Sequence, residues 1–313
     1  MAKKVLIPTG MDQLTEHYLS QKGYELVSYD VEGTDDFFEQ AKTADGIVSM
    51  TYPYNSTTLD RVPNVKIIAR LGVGYDSVDT KAAGQRGIWV TNTPGSNAVT
   101  VAESTIVDIL LLSKNVIQES QTLRDGNWHA GRHLAGHDLS GKTVGIVGFG
   151  HIGQEVAKRL QAFGMTILYY NRSQKPSEYG QQVTLDELLR KSDFVSLHVP
   201  ATPETHHLIG AAQLKMMKPT ASLVNFARGA VVDELALIEA LQNHTIRSAA
   251  LDVFETEPLP SDSPLLKLDN VFLTPHTGSN TVEASARMAL GAVTMVDQVL
   301  SGQKPDFAVN TLD

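Results

Sequence analysis

The chain has 313 residues, 42% of them hydrophobic and 19% charged, which suits one large globular domain or two of ordinary size and excludes a disordered chain. It carries 35 acidic and 26 basic residues, a formal net charge of −9, without a visible cluster of Lys and Arg, so a sequence-independent grip on nucleic acid is not expected. It has no cysteine, which excludes disulfides, thiolate metal sites and a cysteine nucleophile.

The first part of the chain shows short apolar runs that alternate with helical patterns, which is typical of a parallel sheet covered on both faces. A helix is predicted from Asp12 to Lys22. The predicted strands are Val5–Ile7, Tyr24–Tyr29, Gly46–Met50, Val65–Ala69 and Ile88–Thr91.

A turn-forming segment, Asn92–Asn97, ends this series. Thr100 to Glu103 then matches a capping box, which predicts an apolar helix from there to about Ile117, and a loop is predicted over Gly126–Gly141. A helix over Glu283–Leu300 closes the chain. The predicted strands of the second series are Thr143–Val147, Thr166–Tyr170, Phe194–His198, Ser222–Asn225, Ser248–Asp252 and Val271–Leu273.

The second series opens with a dinucleotide fingerprint, Gly148-Phe-Gly-His-Ile-Gly153, between a predicted strand and a predicted helix. In G-x-G-x-x-G the first glycine allows a tight turn, the second lets the backbone approach a pyrophosphate, and the third lets helix and strand pack closely. A glycine-rich turn without a ligand is the alternative. Gly72-Val-Gly74 also follows a strand, but Ser77 stands in place of the third glycine, so a second dinucleotide site is not predicted.

The strand after the fingerprint helix ends at Tyr170, where an NAD-specific site would place Asp or Glu against the ribose hydroxyls. This chain has Asn171, Arg172 and Ser173 there. An uncharged residue beside an arginine removes the repulsion of a 2′-phosphate and offers it a partner. The segment therefore favours NADP(H), with NAD(H) possible if Arg172 is merely solvated.

Polar side chains follow three later predicted strands. Arg228 follows one, Glu257 follows the strand that ends at Asp252, and His276 follows a third. Ligands of open α/β sheets bind beyond the carboxyl ends of the strands, so these side chains can converge on one site. A histidine beside a carboxylate can exchange protons near neutral pH, and an arginine suits a planar carboxylate.

Together these motifs resemble the D-isomer-specific 2-hydroxyacid dehydrogenases over essentially the whole chain. The resemblance implies an NAD(P)-dependent enzyme, an oxidoreductase that transfers a hydride between a nicotinamide and a small 2-oxo or 2-hydroxy acid. The elements that carry it are the fingerprint Gly148–Gly153, N-x-x-R-G at Asn225–Gly229, D-V-F-x-x-E-P at Asp252–Pro258 and T-P-H at Thr274–His276.

The resemblance also implies roles for individual residues. Arg228 would bind the carboxylate and carbonyl of the substrate, His276 would exchange a proton with the carbonyl oxygen, and Glu257 would hydrogen-bond His276. Backbone N–H groups of Gly72, Val73 and Gly74 would bind the substrate carboxylate. The cofactor-binding residues would be Gly148, Gly150, His151, Ile152, Gly153, Asn171, Arg172, Ser173, Val199, Pro200, Thr205, Phe226, Ala227 and, at the nicotinamide end, Asp252.

Plainer interpretations stay open for the same residues. Arg228 could pair with Asp233 on the surface, Glu257 could be an exposed turn acid, Asp252 could cap a strand end, and His276 could be a turn histidine with its hydrogen bonds satisfied.

A rival metal site would use His129, His133 and His137, which are spaced by four. Glycines interrupt that stretch and argue against a helix, so no metal site is predicted. His206 and His207 are expected to be solvated.

The two series and the resemblance predict an α/β protein of two Rossmann-like domains, one flavodoxin-like and one dinucleotide-binding, with parallel sheets and a cleft between them that closes on binding. Residues 1–97 plus 281–313 would form a discontinuous substrate domain, and 98–280 the dinucleotide domain. The apolar helix around 101–112 is more hydrophobic than a surface helix should be, and the resemblance implies that it forms a dimer interface, so a homodimer is predicted; burial within the monomer is the alternative. Neither a secretory segment nor an apolar run of about 20 residues is visible, so a cytoplasmic protein without a membrane partner is expected.

A small unphosphorylated 2-oxo acid is the favoured substrate, of the glyoxylate or hydroxypyruvate type. Phosphoglycerate members of the family carry basic residues after the strand that here is Gly46–Met50, whereas Ser49–Tyr54 contains none. Tyr52 and Tyr54 are expected to bound the substrate side chain. The alternatives are a 3-phosphoglycerate dehydrogenase and a dinucleotide-sensing regulatory relative without catalysis.

Overall fold

The alternation of apolar runs and amphipathic segments folds into two units in the computed structural model, which describes residues 2–11 and 13–312, without the side chain of Leu14. The first unit comprises Met1–Asn97 and Asn280–Asp313, and the second comprises Ala98–Ser279.

The elements of the described chain follow in sequence order. The strands are β1 (Lys4–Pro8), β2 (Glu25–Tyr29), β3 (Gly46–Ser49), β4 (Ile67–Arg70), β5 (Trp89–Thr91), β6 (Thr143–Val147), β7 (Thr166–Tyr170), β8 (Gln181–Gln182), β9 (Phe194–Leu197), β10 (Ser222–Asn225), β11 (Ser248–Leu251) and β12 (Val271–Leu273). The α-helices are α1 (Gln13–Gln21), α2 (Asp35–Ala41), α3 (Ser56–Leu59), α4 (Thr80–Gln85), α5 (Ala98–Lys114), α6 (Val116–Arg124), α7 (Trp128–Gly131), α8 (His151–Ala162), α9 (Leu185–Lys191), α10 (Ala211–Met216), α11 (Glu234–Gln242) and α12 (Val282–Leu300).

The first unit is built on a parallel sheet in the order β2-β1-β3-β4-β5, the flavodoxin-like order. Alternate residues of β1 point to opposite faces, as the period of a strand requires. Val5 and Ile7 join the core under α1 and α12, whereas Leu6 joins the core under α2, α3 and α4. Both faces of the sheet are therefore covered.

The second unit has a parallel sheet in the order β12-β11-β10-β9-β6-β7-β8, which extends the dinucleotide-binding order by one strand. Val144 and Ile146 of β6 pack into the core with α5 and α8, and Val147 packs into the core with α9, α10 and α11. The chain order reverses at β6, so the loops that follow β6 and β9 open side by side at the carboxyl edge of the sheet.

The predicted fold class of two parallel α/β domains is confirmed. Each predicted strand lies within two residues of an observed strand, and the two-residue strand β8 was not predicted. The predicted capping box is wrong, because α5 begins at Ala98 and Thr100 lies buried in its first turn. The predicted single helix also divides at Asn115, whose φ is 54°, and α7 interrupts the predicted loop. Asp12, the predicted start of α1, lies outside the described residues. No helix in the described ranges combines the length and apolar character needed to span a bilayer.

Helix α5 carries a buried carboxyl group. Asp108 is 3% exposed, and its Oδ2 atom lacks a hydrogen-bond partner among the described residues. Burial, with the nearby charge of Asp252 at the end of β11, raises the pKa of Asp108 to about 7. The folded protein therefore binds a proton that the unfolded chain has already released above its ordinary pKa of 3.8.

We predict that Asp108→Asn changes how stability depends on pH. The stabilising effect of the Asp108 proton is complete below about pH 4 and is lost as pH rises through 7, because the raised pKa favours the protonated folded state. Relative to Asp108→Asn, the wild type should lose up to about 4 kcal/mol of unfolding free energy across this window. Urea unfolding at pH 4.5 to 8 measures the difference, with the exposed Asp262→Asn as control; a difference that stays constant with pH would contradict the prediction.

Candidate active site

The glycine fingerprint has the backbone that a dinucleotide phosphate requires. Gly148 has a φ of 94°, and a Cβ there would lie 2.6 Å from the carbonyl oxygen of His198. A Cβ on Gly153 would lie 2.3 Å from the carbonyl oxygen of Gly148. Gly150, the N-cap of α8, has open space on its Cβ side. The first and third positions therefore need glycine for packing, and the second offers a free approach to the backbone.

The helix that follows presents its N-terminus beside this open face. Gly150 provides no side-chain cap, so the first N–H groups of α8 are available to an anion. His151 is exposed and Ile152 is half-buried, and both lie in the first turn. These features fit the pyrophosphate of a dinucleotide.

The segment after β7 is held in place by its own side chains. Asn171 accepts a hydrogen bond from the Phe149 N–H at 3.4 Å and donates to the carbonyl oxygen of Ser173 at 3.1 Å. Gln182 of β8 donates to the carbonyl oxygens of both Asn171 and Ser173. Arg172 is exposed on this hydrogen-bonded turn. The turn next to the fingerprint thus carries an exposed cation without an acidic residue at 171–173.

The loop after β9 is closed by a threonine. Thr205 Oγ1 donates to the carbonyl oxygen of Pro200 at 2.6 Å and accepts from the Thr202 N–H at 2.8 Å. Val199, at the start of this loop, also lies against Gly148. The loop therefore borders the fingerprint, as the switch point of the sheet requires.

Arg228 is placed by a turn that Asn225 organises at the end of β10. The Asn225 side chain accepts from the Ala227 N–H at 2.9 Å and donates to the carbonyl oxygen of Arg228 at 3.1 Å. Phe226 and Ala227 are buried in this turn, and Arg228 is half-buried. Arg228 Nη1 donates to the carbonyl oxygen of Ala227 at 2.7 Å, which orients the guanidinium.

Gly229 explains why the arginine and Glu257 lie near each other. A Cβ on Gly229 would lie 1.9 Å from the carbonyl carbon of Phe254, so only glycine allows the two backbones to approach. The Phe254 N–H in turn donates to Glu257 Oε1 at 3.0 Å. The turn after β10 is therefore packed against the turn that carries Glu257.

Glu257 and His276 form a hydrogen-bonded pair. His276 Nδ1 lies 2.7 Å from Glu257 Oε2, and the two side chains are 45% and 36% exposed. Because Nδ1 is occupied, Nε2 is the ring nitrogen that can reach a substrate. The arrangement excludes the interpretation of Glu257 as a free turn acid.

Electrostatics favours the charged forms of both side chains of this pair. The hydrogen bond to Glu257 raises the pKa of His276; burial and Arg228 oppose this, the charges of Glu257 and Asp252 add to it, and the result lies above the ordinary value. Burial raises the pKa of Glu257, but hydrogen bonds from His276 and the Phe254 N–H, with the nearby positive charges, lower it below the ordinary value. His276 is thus suited to donate a proton from Nε2 near neutral pH.

Asp252 does more than cap a strand end. Its Oδ1 accepts from the Thr274 hydroxyl and the Thr277 N–H, both at 2.7 Å, and its Oδ2 accepts from the Gly278 N–H at 2.8 Å. Its carbonyl oxygen accepts from the His276 N–H at 2.8 Å. Asp252 therefore fixes the segment that presents His276.

Several contributing residues were not predicted. Thr274 and Asn225 belong to motifs quoted in the sequence analysis, but the sequence did not show that their side chains would form these hydrogen bonds. Ser104 of α5, whose hydroxyl donates to the carbonyl oxygen of Gly278 at 2.9 Å, gave no sequence signal. Nor did Asp108, because a lone acid in an apolar run does not reveal which strand it faces.

Other predicted residues belong to the first unit. Gly72, Val73 and Gly74 follow β4 in the first unit and are half-buried. The prediction that Tyr54 bounds a substrate is wrong: its ring is 1% exposed in the core, and its hydroxyl donates to Glu32 at 2.8 Å. Tyr52 is half-buried and packs edge-on against Phe38.

Five further histidines were considered in the sequence analysis, His129, His133, His137, His206 and His207. His207 is not simply solvated, since its Nε2 lies 2.6 Å from Glu255 Oε1 and its ring stacks on that of His206. Of His129, His133 and His137, only His129 lies within α7. Within the described residues, no group of three or more His, Asp or Glu side chains is arranged to hold a metal ion.

Comparisons with known proteins agree with the geometry. The model of the family "D-isomer specific 2-hydroxyacid dehydrogenase, NAD binding domain" matches residues 106–278. A glyoxylate reductase of Korarchaeum cryptofilum is 44% identical over 280 residues, which cover 87% of this chain and 84% of that relative.

Solved structures give the same result. A protein from Thermus thermophilus is 39% identical, with a TM-score of 0.91 over 98% of this chain and 99% of that one. An NADPH-dependent glyoxylate/hydroxypyruvate reductase of Sinorhizobium meliloti, in complex with NADP and malonate, is 33% identical, with a TM-score of 0.86 over 99% and 97%.

These matches confirm the resemblance drawn from the motifs. The protein is an oxidoreductase that acts on 2-hydroxy or 2-oxo acids with a nicotinamide cofactor. The chain belongs to the family of D-isomer-specific 2-hydroxyacid dehydrogenases.

Proposed function

We propose that the protein reduces a small, unphosphorylated 2-oxo acid of the glyoxylate or hydroxypyruvate type to its 2-hydroxy acid, with NADPH as the preferred cofactor. The observation that carries the proposal is the His276–Glu257 pair, held at 2.7 Å beside Arg228 at the carboxyl edge of a dinucleotide-binding sheet. Similarity to relatives named glyoxylate reductases supports the substrate class.

His276 supplies the proton in this scheme. Its Nε2–H donates to the carbonyl oxygen of the substrate as negative charge develops there, and Glu257 stabilises the imidazolium before the transfer. When bound, the nicotinamide supplies the hydride. In the oxidative direction neutral His276 accepts the proton through the same nitrogen.

Arg228 orients the substrate. Its planar guanidinium can bind a carboxylate through two parallel hydrogen bonds, and its charge also polarises a neighbouring carbonyl. The turn of Asn225 and the contact of Gly229 with Phe254 hold it in place. A substrate without a carboxylate could not accept these two parallel hydrogen bonds.

The cofactor site follows from the second unit. We propose that Gly148, Gly150, His151, Ile152 and Gly153 hold the pyrophosphate and that Asn171, Arg172 and Ser173 hold a 2′-phosphate. The open Cβ side of Gly150 and the exposed Arg172 support this assignment. The remaining contacts are proposed for Val199, Pro200, Thr205, Phe226, Ala227 and Asp252.

The preference for an unphosphorylated acid rests on the loop after β3. Residues 49–54 contain no base, and Glu32 binds the Met50 N–H at 3.0 Å and the Tyr54 hydroxyl at 2.8 Å. A carboxylate built into this loop opposes a phosphate. The first unit is accordingly proposed as the substrate domain.

An activity panel tests the proposal. We expect kcat/KM for glyoxylate or hydroxypyruvate to exceed that for 3-phosphohydroxypyruvate, with pyruvate as a fourth substrate, and NADPH to exceed NADH. His276→Ala should lower kcat by about 100-fold or more. Best turnover of the phosphorylated acid would support the phosphoglycerate alternative, a strong NADH preference would overturn the cofactor assignment, and dinucleotide-dependent assembly without turnover would indicate a sensor.

A second prediction concerns the pH profile. Glu257→Gln removes the negative charge that helps to raise the pKa of His276. Because reduction requires protonated His276, its rate should begin to fall at a lower pH in the variant than in the wild type. The alkaline limb of kcat against pH measures this. Glu255→Gln, two residues away and bonded to His207, is the matched control. An unchanged limb in Glu257→Gln would exclude the pair as the proton donor.

We also infer a homodimer. Helices α6 and α7 have no buried residues within the described chain, and exposed apolar side chains follow one another along α5 to α7. They are Val99, Val107, Val116, Ile117, Leu123 and Trp128, each at least 41% exposed. Light scattering should give about twice 34.0 kDa; a monomeric mass would contradict the inference. The cytoplasmic location stays a prediction.

A further inference from the structure

The loop Gly72–Gly74 after β4 has all of its carbonyl groups bound within the first unit. The carbonyl oxygen of Gly72 accepts from the Thr93 N–H at 2.9 Å. That of Val73 accepts from the Asn92 side chain at 2.7 Å, and that of Gly74 accepts from Arg70 Nε at 3.1 Å. Three consecutive acceptors are therefore turned towards internal donors.

The N–H groups of the same three residues are in the opposite situation. Among the described residues, no hydrogen bond is donated by the N–H of Gly72, Val73 or Gly74, and all three residues are half-exposed. Gly72 has a φ of 154°, which L side chains rarely adopt. Successive free N–H groups of this kind form a concave site for an anion.

Arg70 lies beneath this loop. It is 7% exposed, and besides Gly74 its guanidinium reaches Ser49 at the end of β3, with Nη1 3.2 Å from the carbonyl oxygen and 3.5 Å from Oγ. One side chain thus ties the ends of two neighbouring strands to the glycine loop. A buried cation is costly, and here it lies where its charge adds to the N–H dipoles of the loop.

Asn92 acts from the other side. It is 8% exposed at the end of β5, and its amide holds the Val73 carbonyl oxygen away from the exposed face. Without that bond the Val73 peptide is free to rotate, which would turn an acceptor towards an incoming anion and a donor away from it.

We infer that Arg70 and Asn92 are positioning residues that hold Gly72–Gly74 in an anion-binding conformation, and that the charge of Arg70 strengthens its attraction for a carboxylate. The identity of that carboxylate, a small 2-oxo acid, rests on the proposed function. The conformation of the loop and its affinity for a carboxylate do not depend on turnover.

Binding of oxalate to the full chain, measured by calorimetry with and without saturating NADPH, tests the inference. Asn92→Ala should weaken oxalate binding by about tenfold, because one fixed peptide is lost. Arg70→Met should weaken it more, and Arg70→Lys should recover part of the loss, since an ammonium keeps the charge but not the fork of donors. The affinity for NADPH should not change, because its proposed site lies in the other unit.

Arg61→Met is the matched control, since Arg61 is an exposed arginine of the same unit that pairs with Asp35. Kinetics adds a second readout. The ratio of kcat/KM for pyruvate to that for its methyl ester should fall in Asn92→Ala and Arg70→Met, whereas a general loss of structure lowers both values alike.

The outcomes distinguish failure of this inference from failure of the proposed function. Wild-type oxalate affinity retained in both Asn92→Ala and Arg70→Met, or no oxalate binding to the wild type, overturns the inference. Oxalate binding that depends on Arg70 and Asn92 in a protein without turnover of any 2-oxo acid supports it and contradicts the proposed function instead. If Arg70→Met fails to fold, Asn92→Ala alone decides.

Discussion

The hydrogen bonds of Asp252 are the constraint on which the segment 274–278, at the carboxyl edge of the second sheet, depends. The side chain accepts three hydrogen bonds from residues 274–278, and the main chain accepts a fourth from His276. His276 has a φ of 52°, a conformation that a residue other than glycine keeps only when its surroundings fix it. The hydrogen bonds of Asp252 fix this backbone conformation without involving the imidazole ring. They thereby place the ring where its Nδ1 lies 2.7 Å from Glu257 Oε2.

The same constraint explains the close packing behind the segment. A Cβ on Gly278 would lie 2.5 Å from the Phe226 ring and 2.9 Å from Asp252 Oδ2, so glycine is required where Asp252 binds its N–H. Ser104 binds the carbonyl oxygen of Gly278 from α5. Asp108 lies one turn further along α5, and a second negative charge there would face the carboxylate of Asp252. Because its pKa is raised to about 7, the Asp108 carboxyl group stays protonated and neutral at mildly acidic pH.

Much of the fold could be predicted because strand and helix periods and the glycine fingerprint are local signals. The start of α5 could not, since the capping pattern at Thr100 competes with a turn that lets the helix begin earlier, and tertiary burial of Thr100 decides between them. The break at Asn115 depends on one left-handed residue that the apolar pattern does not reveal. The proximity of Arg228, Glu257 and His276 could be predicted because each follows a strand of the same sheet. Tyr54 was misjudged because sequence position does not show which way a loop side chain points.

The net charge was the least informative quantity, and the structure shows why. An acidic protein can bind anions if, near the binding site, its own carbonyl and carboxylate oxygens already accept hydrogen bonds from protein groups. In the first unit, the carbonyl oxygens of Gly72–Gly74 are bound by Thr93, Asn92 and Arg70, which leaves N–H groups outward. In the second unit, Glu257 is bound by His276 and the Phe254 N–H, and Asp252 by the 274–278 segment. N–H dipoles, Arg228 and the N-terminus of α8 then lie nearest to an anion at the proposed sites, so the total charge of −9 is a poor guide to anion binding there.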